Sequence, residues 1–172
     1  MSLDFVADFF VTLVQFVSGL ETWQQVLALV AIGAIPFIES YLGSFLGVLV
    51  GIDPFIAVPA AVVGNIISTF LVIAVASRVR TAATKGRGAD AEMDLSDAPK
   101  SRQKIGTYLN RFGVPGVCLL GPLVIASQIT APTLIALCAT KRGVYVWSAI
   151  SILAWGILFG FFSHLVVTWA IG

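Results

Sequence analysis

The length of its apolar stretches constrains this sequence more than any other feature. They occupy residues 3–20, 24–52, 54–77 and 113–171, and a basic pair divides the last one. About 20 consecutive apolar residues are enough for a helix to cross a hydrocarbon core of ~30 Å. Of all residues, 58% are hydrophobic and 11% are charged, whereas roughly 25% are charged in a soluble domain. The sequence therefore predicts an all-α integral membrane protein.

The basic residues are confined to one part of the chain. All ten Lys and Arg lie between Arg78 and Arg142, and none comes earlier. Because basic residues are retained on the cytoplasmic side of a membrane, this excess predicts that the polar segment 80–104 is cytoplasmic. Segment 54–77 then crosses from outside to inside, and segment 143–171 crosses back. We expect a multi-pass protein of the cell membrane, that is, the plasma or inner membrane.

The apolar segment 113–140 has basic residues at both of its ends. Both ends should be cytoplasmic, so the segment is expected to enter the membrane and return as a re-entrant hairpin. An arm of about a dozen residues gives ~18 Å of helix, which passes only slightly beyond the middle of the core. Pro122 and Pro132 are the predicted breaks, and non-helical backbone at that depth must be buried in protein or line a cavity.

Segment 24–52 has the same form, with its break at Pro36. If it is also re-entrant, residues 1–79 hold an N-terminal helix, a hairpin and a crossing helix. Residues 105–172 hold an amphipathic helix, a hairpin and a crossing helix. The two halves would form an inverted-topology repeat, as in many secondary transporters, and the separation of 86 residues between Pro36 and Pro122 fits it. The alternative is five plain spanning helices kinked by proline, which would leave the basic pair on the wrong side.

Two stretches carry a resemblance to a known family: GAIPFIESYLGSFLGVLVG at 33–51 and NRFGVPGVCLLGPLVIASQITAPTLIALCATKR at 110–142. With the Gly64-Asn65 pair, they resemble the small multi-drug export proteins, which are related to the DedA (VTT-domain) membrane proteins. That family usually has a Glu and an Arg before Gly-Ala-Ile-Pro, whereas here the carboxylate follows the proline, at Glu39. The resemblance implies a transporter, and DedA relatives are associated with moving lipid phosphates such as undecaprenyl phosphate.

Glu39 is the ionisable side chain expected at the middle of the membrane. A lone carboxylate in a low-dielectric medium is disfavoured when ionised, so it would exchange a proton near neutral pH. The competing interpretation is a protonated Glu39 that hydrogen-bonds to hairpin backbone. Neutral polar residues are expected to complete one binding site for substrate and proton with it: Ser40, Asn65, Ser127, Gln128 and Thr130.

These features predict a proton-coupled exporter of a cationic or amphipathic small molecule. The alternative is a flippase or scramblase of a phosphorylated lipid carrier, which would use Arg111, Lys141 and Arg142 at the inner interface. A scaffold that transports nothing is a third possibility. We expect no enzyme activity, cofactor, metal site or nucleic-acid partner, because no catalytic or ligand spacing occurs. The expected partners are the lipid bilayer and the substrate, and glycines at every fourth position leave a homodimer open.

Overall fold

The computed structural model describes residues 3–83, 100–137 and 139–171, and helices account for all the regular structure in these ranges. The all-helical prediction is therefore confirmed. One short 3-10 turn, Gly121–Leu123, accompanies the α-helices. In chain order, the helices are α1 (Leu3–Ser18), α2 (Thr22–Gly33), α3 (Glu39–Leu49), α4 (Pro54–Ala83), α5 (Lys100–Leu120), α6 (Ser127–Ala136) and α7 (Lys141–Ile171).

Segment 80–104, expected as a cytoplasmic loop between the two halves, is helical at both of its described ends. α4 continues to Ala83 and α5 already begins at Lys100, while residues 84–99 lie outside the described residues. The helices extend into the polar segment because Ala, Arg, Lys and Gln are good helix formers without any apolar burial. The cytoplasmic location of this segment stays a prediction.

Two helices are long and apolar enough to cross a membrane, α4 over Pro54–Ala82 and α7 over Lys141–Trp169. The 29 residues of each correspond to about 43 Å of helix. A core helix of a soluble protein would be mostly buried, but only 28% of the most apolar window of α7 is buried, against 50% in α4. Among the large apolar side chains of α7, that of Trp169 has the highest exposed fraction, 89%. Length, composition and exposed apolar surface all suit these two helices to a hydrocarbon environment.

The chain divides into two compact units, each of which takes part of both long helices. Unit 1 comprises Met1–Asn65 and Leu153–Gly172, and unit 2 comprises Ile66–Ile152. Charge separates between them: in the described ranges every Asp and Glu belongs to unit 1 and every Lys and Arg belongs to unit 2. Each unit is described below by itself.

In unit 1, α2 and α3 form an antiparallel pair. α2 starts with a capping box in which the side chains of Glu21 and Gln24 bond to each other's backbone N–H groups. The antiparallel register follows from the glycines of α3, since a Cβ at Gly43 would lie 3.5 Å from the Cα of Gly33 and one at Gly47 would lie 2.6 Å from Leu29 Cδ1. Glycine therefore lets the two short helices approach closely.

α2 also contacts the first part of α4 through main-chain atoms. A Cβ built on Gly33 would overlap the carbonyl of Ala61, and a Cβ built on Gly64 would overlap the carbonyl of Val30. No side chain fits at either position without moving one helix away from the other. In the pair Gly64-Asn65, the glycine is therefore required by the close packing of α4 against α2.

The C-terminal part of α7 packs against α3 through two further glycines. Their ideal Cβ atoms would lie 3.3 Å from Ser40 Cβ at Gly156 and 3.3 Å from Ser44 Cβ at Gly160. Ser163 adds a hydrogen bond from its hydroxyl to the Phe45 carbonyl, at 3.1 Å. The glycines at every fourth position, which are compatible with a homodimer, make helix contacts within the chain in this structure.

In unit 2, α5 is bent at Gly113, where φ is 64° and ψ is −176°. This region of backbone conformation is essentially restricted to glycine. The helix before the bend buries Ile105 on its apolar side. After the bend, Pro115 lies near the start of the new helical segment, where a missing N–H costs least. The predicted amphipathic helix therefore ends where glycine allows a sharp change of direction.

The second half of α5 pairs with α6, and the chain turns through the 3-10 segment Gly121–Leu123. Pro122 lies in this turn, as expected. Pro132 does not, because it lies inside α6, so its assignment as a break is wrong. Proline's fixed φ is compatible with a helix, and only one backbone hydrogen bond is lost there. The described residues therefore contain two pairs of short helices, α2 with α3 and the end of α5 with α6, and re-entry of these pairs into the membrane stays a prediction.

Candidate functional site

The break between α2 and α3 is made of tight backbone turns. The N–H of Ile35 donates to the Ile32 carbonyl at 3.0 Å, and the N–H of Ile38 donates to the Ile35 carbonyl at 3.2 Å. Pro36 and Phe37 are exposed at this turn, and Phe37 has a left-handed φ of 70°. The Tyr41 hydroxyl donates to the Phe37 carbonyl at 2.8 Å, which ties the turn to α3.

Glu39 is the first residue of α3 and is 1% exposed. Its backbone also has a left-handed φ, of 52°, which is uncommon outside glycine, Asn and Asp. The N-terminus of a helix carries partial positive charge and favours a carboxylate. Tyr41 lies within electrostatic reach of it. The chain thus holds an ionisable group in an apolar interior, next to a dipole that lowers the cost of ionising it.

Two predicted companions of Glu39 lie in the same unit. Ser40 is 1% exposed and faces Gly156, and Asn65 is fully buried on α4, next to Gly64. Ser44, one turn along α3, is also fully buried, and its hydroxyl has no hydrogen-bond partner among the described residues. Unit 1 therefore contains a buried carboxylate together with buried hydroxyl and carboxamide groups.

The remaining polar residues form a cluster in unit 2. Ser127, Gln128 and Thr130 are all buried at the start of α6. The Thr130 hydroxyl donates to the Ile125 carbonyl at 3.3 Å, and Thr130 also touches Gly121, whose ideal Cβ would lie 3.1 Å from its methyl group. These contacts hold α6 against the 3-10 turn.

Two cavities border this cluster. One of about 10 Å³ is lined by Cys118, Ser127, Thr130 and Ser148 among others, which is room for about one water molecule with polar neighbours. The other, of about 190 Å³, is mostly apolar and is lined by Tyr108, Phe112 and Thr130 among others. Thr130 lines both cavities.

The predicted interfacial cations are all exposed. The Arg111 guanidinium lies 5.2 Å from the centre of the Phe112 ring, as in a cation–π contact. Lys141 and Arg142 begin α7. Lys141 also lines a third cavity, which it shares with Arg78.

The structure thus gathers Glu39, Ser40 and Asn65 in unit 1, and Ser127, Gln128 and Thr130 in unit 2. Their union in one site stays a prediction. The sequence analysis did not single out Tyr41, whose hydroxyl donates to the backbone carbonyl of Phe37 in the turn before α3. In the described ranges no three His, Cys, Asp or Glu side chains come together as a metal site would require.

Comparison with known proteins adds no relative. No protein-family model, no curated protein and no solved structure matches this chain. The resemblance to the small multi-drug export and DedA proteins therefore stays a prediction.

Proposed function

We propose that the chain is an integral membrane protein of the small multi-drug export and DedA type. In this proposal the α2–α3 pair and the pair formed by the end of α5 with α6 re-enter the membrane from opposite faces, as an inverted repeat. The lengths of the short helices support it, since the 12 residues of α2 reach only about 18 Å. The order of elements supports it too, because α4 and α7 start 87 positions apart, at Pro54 and Lys141.

The proposed orientation follows the positive-inside rule. Arg78 and Arg80 are near the end of α4, and Lys141 and Arg142 begin α7, so these ends face the cytoplasm in the plasma or inner membrane. Cysteines introduced at 111 and 141 should react with an impermeant maleimide only from inside, and a cysteine at 53 only from outside. Reaction of position 141 only from outside would contradict the re-entrant topology.

The proposed activity is proton-coupled export of a cationic or amphipathic small molecule. The observation that carries it is Glu39, a carboxylate that is 1% exposed at the first residue of α3, directly after a helix break. Ionisable groups inside a membrane are costly, and a functional role is the default hypothesis for them. The left-handed backbone at Phe37 and Glu39 adds strain, and such strain is concentrated at functional sites.

The cavity of about 190 Å³ in unit 2 supports an amphipathic cargo. Tyr108 and Phe112 provide aromatic faces, which attract organic cations, and Thr130 provides a hydroxyl. In the proposed cycle, Glu39 takes up a proton on one side of the membrane and releases it on the other. Cargo moves in the opposite direction, so that the free energy released by proton movement drives export.

The test is transport of ethidium by the purified chain in liposomes with an imposed pH gradient. Glu39→Gln keeps the size and hydrogen-bonding capacity of the side chain but cannot titrate. We expect it to fold, as measured by circular dichroism, and to lose at least tenfold in pH-driven transport. Asp8→Asn removes an exposed carboxylate of the same unit and should transport like the original chain. Full proton-coupled transport by Glu39→Gln would overturn the proposal.

A second candidate function is a flippase or scramblase of a phosphorylated lipid carrier. The observation that favours it is charge, because the described part of unit 2 contains Lys and Arg but no carboxylate. Arg111, Lys141 and Arg142 would collect the anionic headgroup at the inner surface. Translocation of a fluorescent polyprenyl phosphate in liposomes that do not transport ethidium would favour this function over export.

A further inference from the structure

A cavity of about 300 Å³ lies where the end of α4 meets the start of α7 in unit 2. It is lined by Ser77, Arg78, Thr81, Ala82 and Lys141. Ser77 is 8% exposed, and the other four lining residues are exposed. The cavity therefore has a buried hydroxyl and an accessible rim, and its volume is at the lower end of the range for small-ligand sites.

The two charged residues that line this cavity are both basic. Arg78 contributes a guanidinium group and Lys141 contributes an ammonium group. No carboxylate occurs in the described part of unit 2 that could neutralise them. A guanidinium can bind an oxyanion through two parallel hydrogen bonds, and an ammonium adds a point charge with three donors. Such a pair selects an anion and rejects a cation.

The hydroxyl groups give a second, independent indication of a ligand. The Ser77 hydroxyl is buried and has no hydrogen-bond partner among the described residues. A buried polar group without a hydrogen-bond partner lowers protein stability by about 1–3 kcal/mol. Such groups are rare in folded proteins, and a bound ligand is one explanation for them. The Thr81 hydroxyl donates to the Ser77 carbonyl at 2.8 Å, so its proton is already used. Ser77 is therefore the hydroxyl free to donate to a ligand.

The start of α7 adds to the same preference. Lys141 is the first residue of this helix, and the N-terminus of a helix favours negative charge. A tetrahedral phosphate oxyanion has enough acceptor atoms for a guanidinium, an ammonium and a hydroxyl at once. We propose that this cavity binds a phosphate group, supplied either by inorganic phosphate or by the headgroup of an anionic phospholipid.

The site does not depend on the export proposal, since it would bind phosphate in a protein that exports nothing, and it shares Lys141 with the lipid-phosphate alternative. The test is binding to the purified full chain in an uncharged detergent, measured by calorimetry. One arm uses inorganic phosphate, and the other uses a short-chain phosphatidic acid below its micellar concentration. Binding in the first arm identifies a free-anion site, and binding in the second alone identifies a headgroup site. Either result supports the proposal, and binding in neither arm overturns it.

Variants separate this site from general charge attraction. Arg78→Gln and Lys141→Gln should each weaken binding about tenfold, while Lys104→Gln, which removes an exposed cation of α5, should change it less than twofold. Equal losses in all three would overturn the proposal. Ser77→Ala provides a distinct readout. It should weaken binding about threefold while leaving the thermal midpoint of the ligand-free protein unchanged or higher, because it removes an unsatisfied hydroxyl. Unweakened binding by Ser77→Ala would overturn the proposal, because the buried hydroxyl would then take no part in the site.

Discussion

The main-chain contact between α2 and α4 predicts an unusual effect of a conservative substitution, Gly64→Ala. Helix propensity alone predicts that Ala in place of Gly inside a helix stabilises the protein by about 1 kcal/mol. The structure predicts the opposite sign. A Cβ at position 64 would overlap the carbonyl oxygen of Val30, which belongs to the backbone of α2 and cannot move by a rotamer change.

The magnitude follows from these two terms. Overpacking a tight contact typically costs about 1–3 kcal/mol, and a main-chain obstacle such as Val30 belongs at the upper end. Subtracting the ~1 kcal/mol gained in propensity leaves a net destabilisation of about 2 kcal/mol for Gly64→Ala. This corresponds to a roughly thirtyfold change in the unfolding equilibrium.

The assay is reversible unfolding of the full chain in detergent, with two controls. Gly19→Ala should stay within about 0.5 kcal/mol, because its Cβ would meet nothing closer than 3.6 Å. At Gly156 the nearest obstacle is a side-chain atom, Val62 Cγ2 at 2.7 Å. Adding Val62→Ala should therefore rescue Gly156→Ala, with a coupling energy of about 1 kcal/mol.

Adding Val30→Ala should not rescue Gly64→Ala, since the overlapping atom is the carbonyl oxygen and remains in place. We expect that coupling to stay below about 0.5 kcal/mol. A stabilised Gly64→Ala protein, or equal rescue in the two double variants, would refute the reasoning.

Four further variants test the bend at Gly113, the two prolines Pro132 and Pro36, and the bond of Tyr41. Gly113→Ala should destabilise the protein by about 1–3 kcal/mol through backbone strain alone, since its Cβ would meet only Pro115 Cδ at 3.5 Å; an unchanged unfolding midpoint would show that the bend relaxes. Pro132→Ala should leave the helix content and midpoint unchanged or higher, because it restores an N–H inside α6, whereas Pro36→Ala should slow ethidium transport in liposomes; a lost fold in Pro132→Ala would contradict its position. Tyr41→Phe should cost about 1 kcal/mol and speed hydrogen exchange around residue 37, because it removes the bond to the Phe37 carbonyl. Unchanged exchange there would mean that this bond does not hold the turn.

The helical class of this protein and its two long helices follow from the sequence. Stretches of apolar residues longer than 20 leave few alternatives to helices of membrane length, and α4 begins at Pro54, where the sequence predicts it. The break near Pro36 and the bend at Gly113 also follow from local chemistry. Proline removes a donor, and glycine alone adopts that backbone conformation.

The tertiary structure decided the rest. Pro122 and Pro132 both lie in the apolar segment 113–140, yet Pro122 lies in a 3-10 turn and Pro132 lies inside α6. The cavity of Ser77, Arg78 and Lys141 joins residues from helices far apart in the chain.

The physical reason is the composition itself. A helix such as α4 is apolar on all sides, so its pattern of residues does not indicate which face contacts protein. Whether a glycine such as Gly64 meets a carbonyl, a side chain or open space depends on the helix packed against it. That choice of neighbour is made by close packing in three dimensions, which local sequence does not encode.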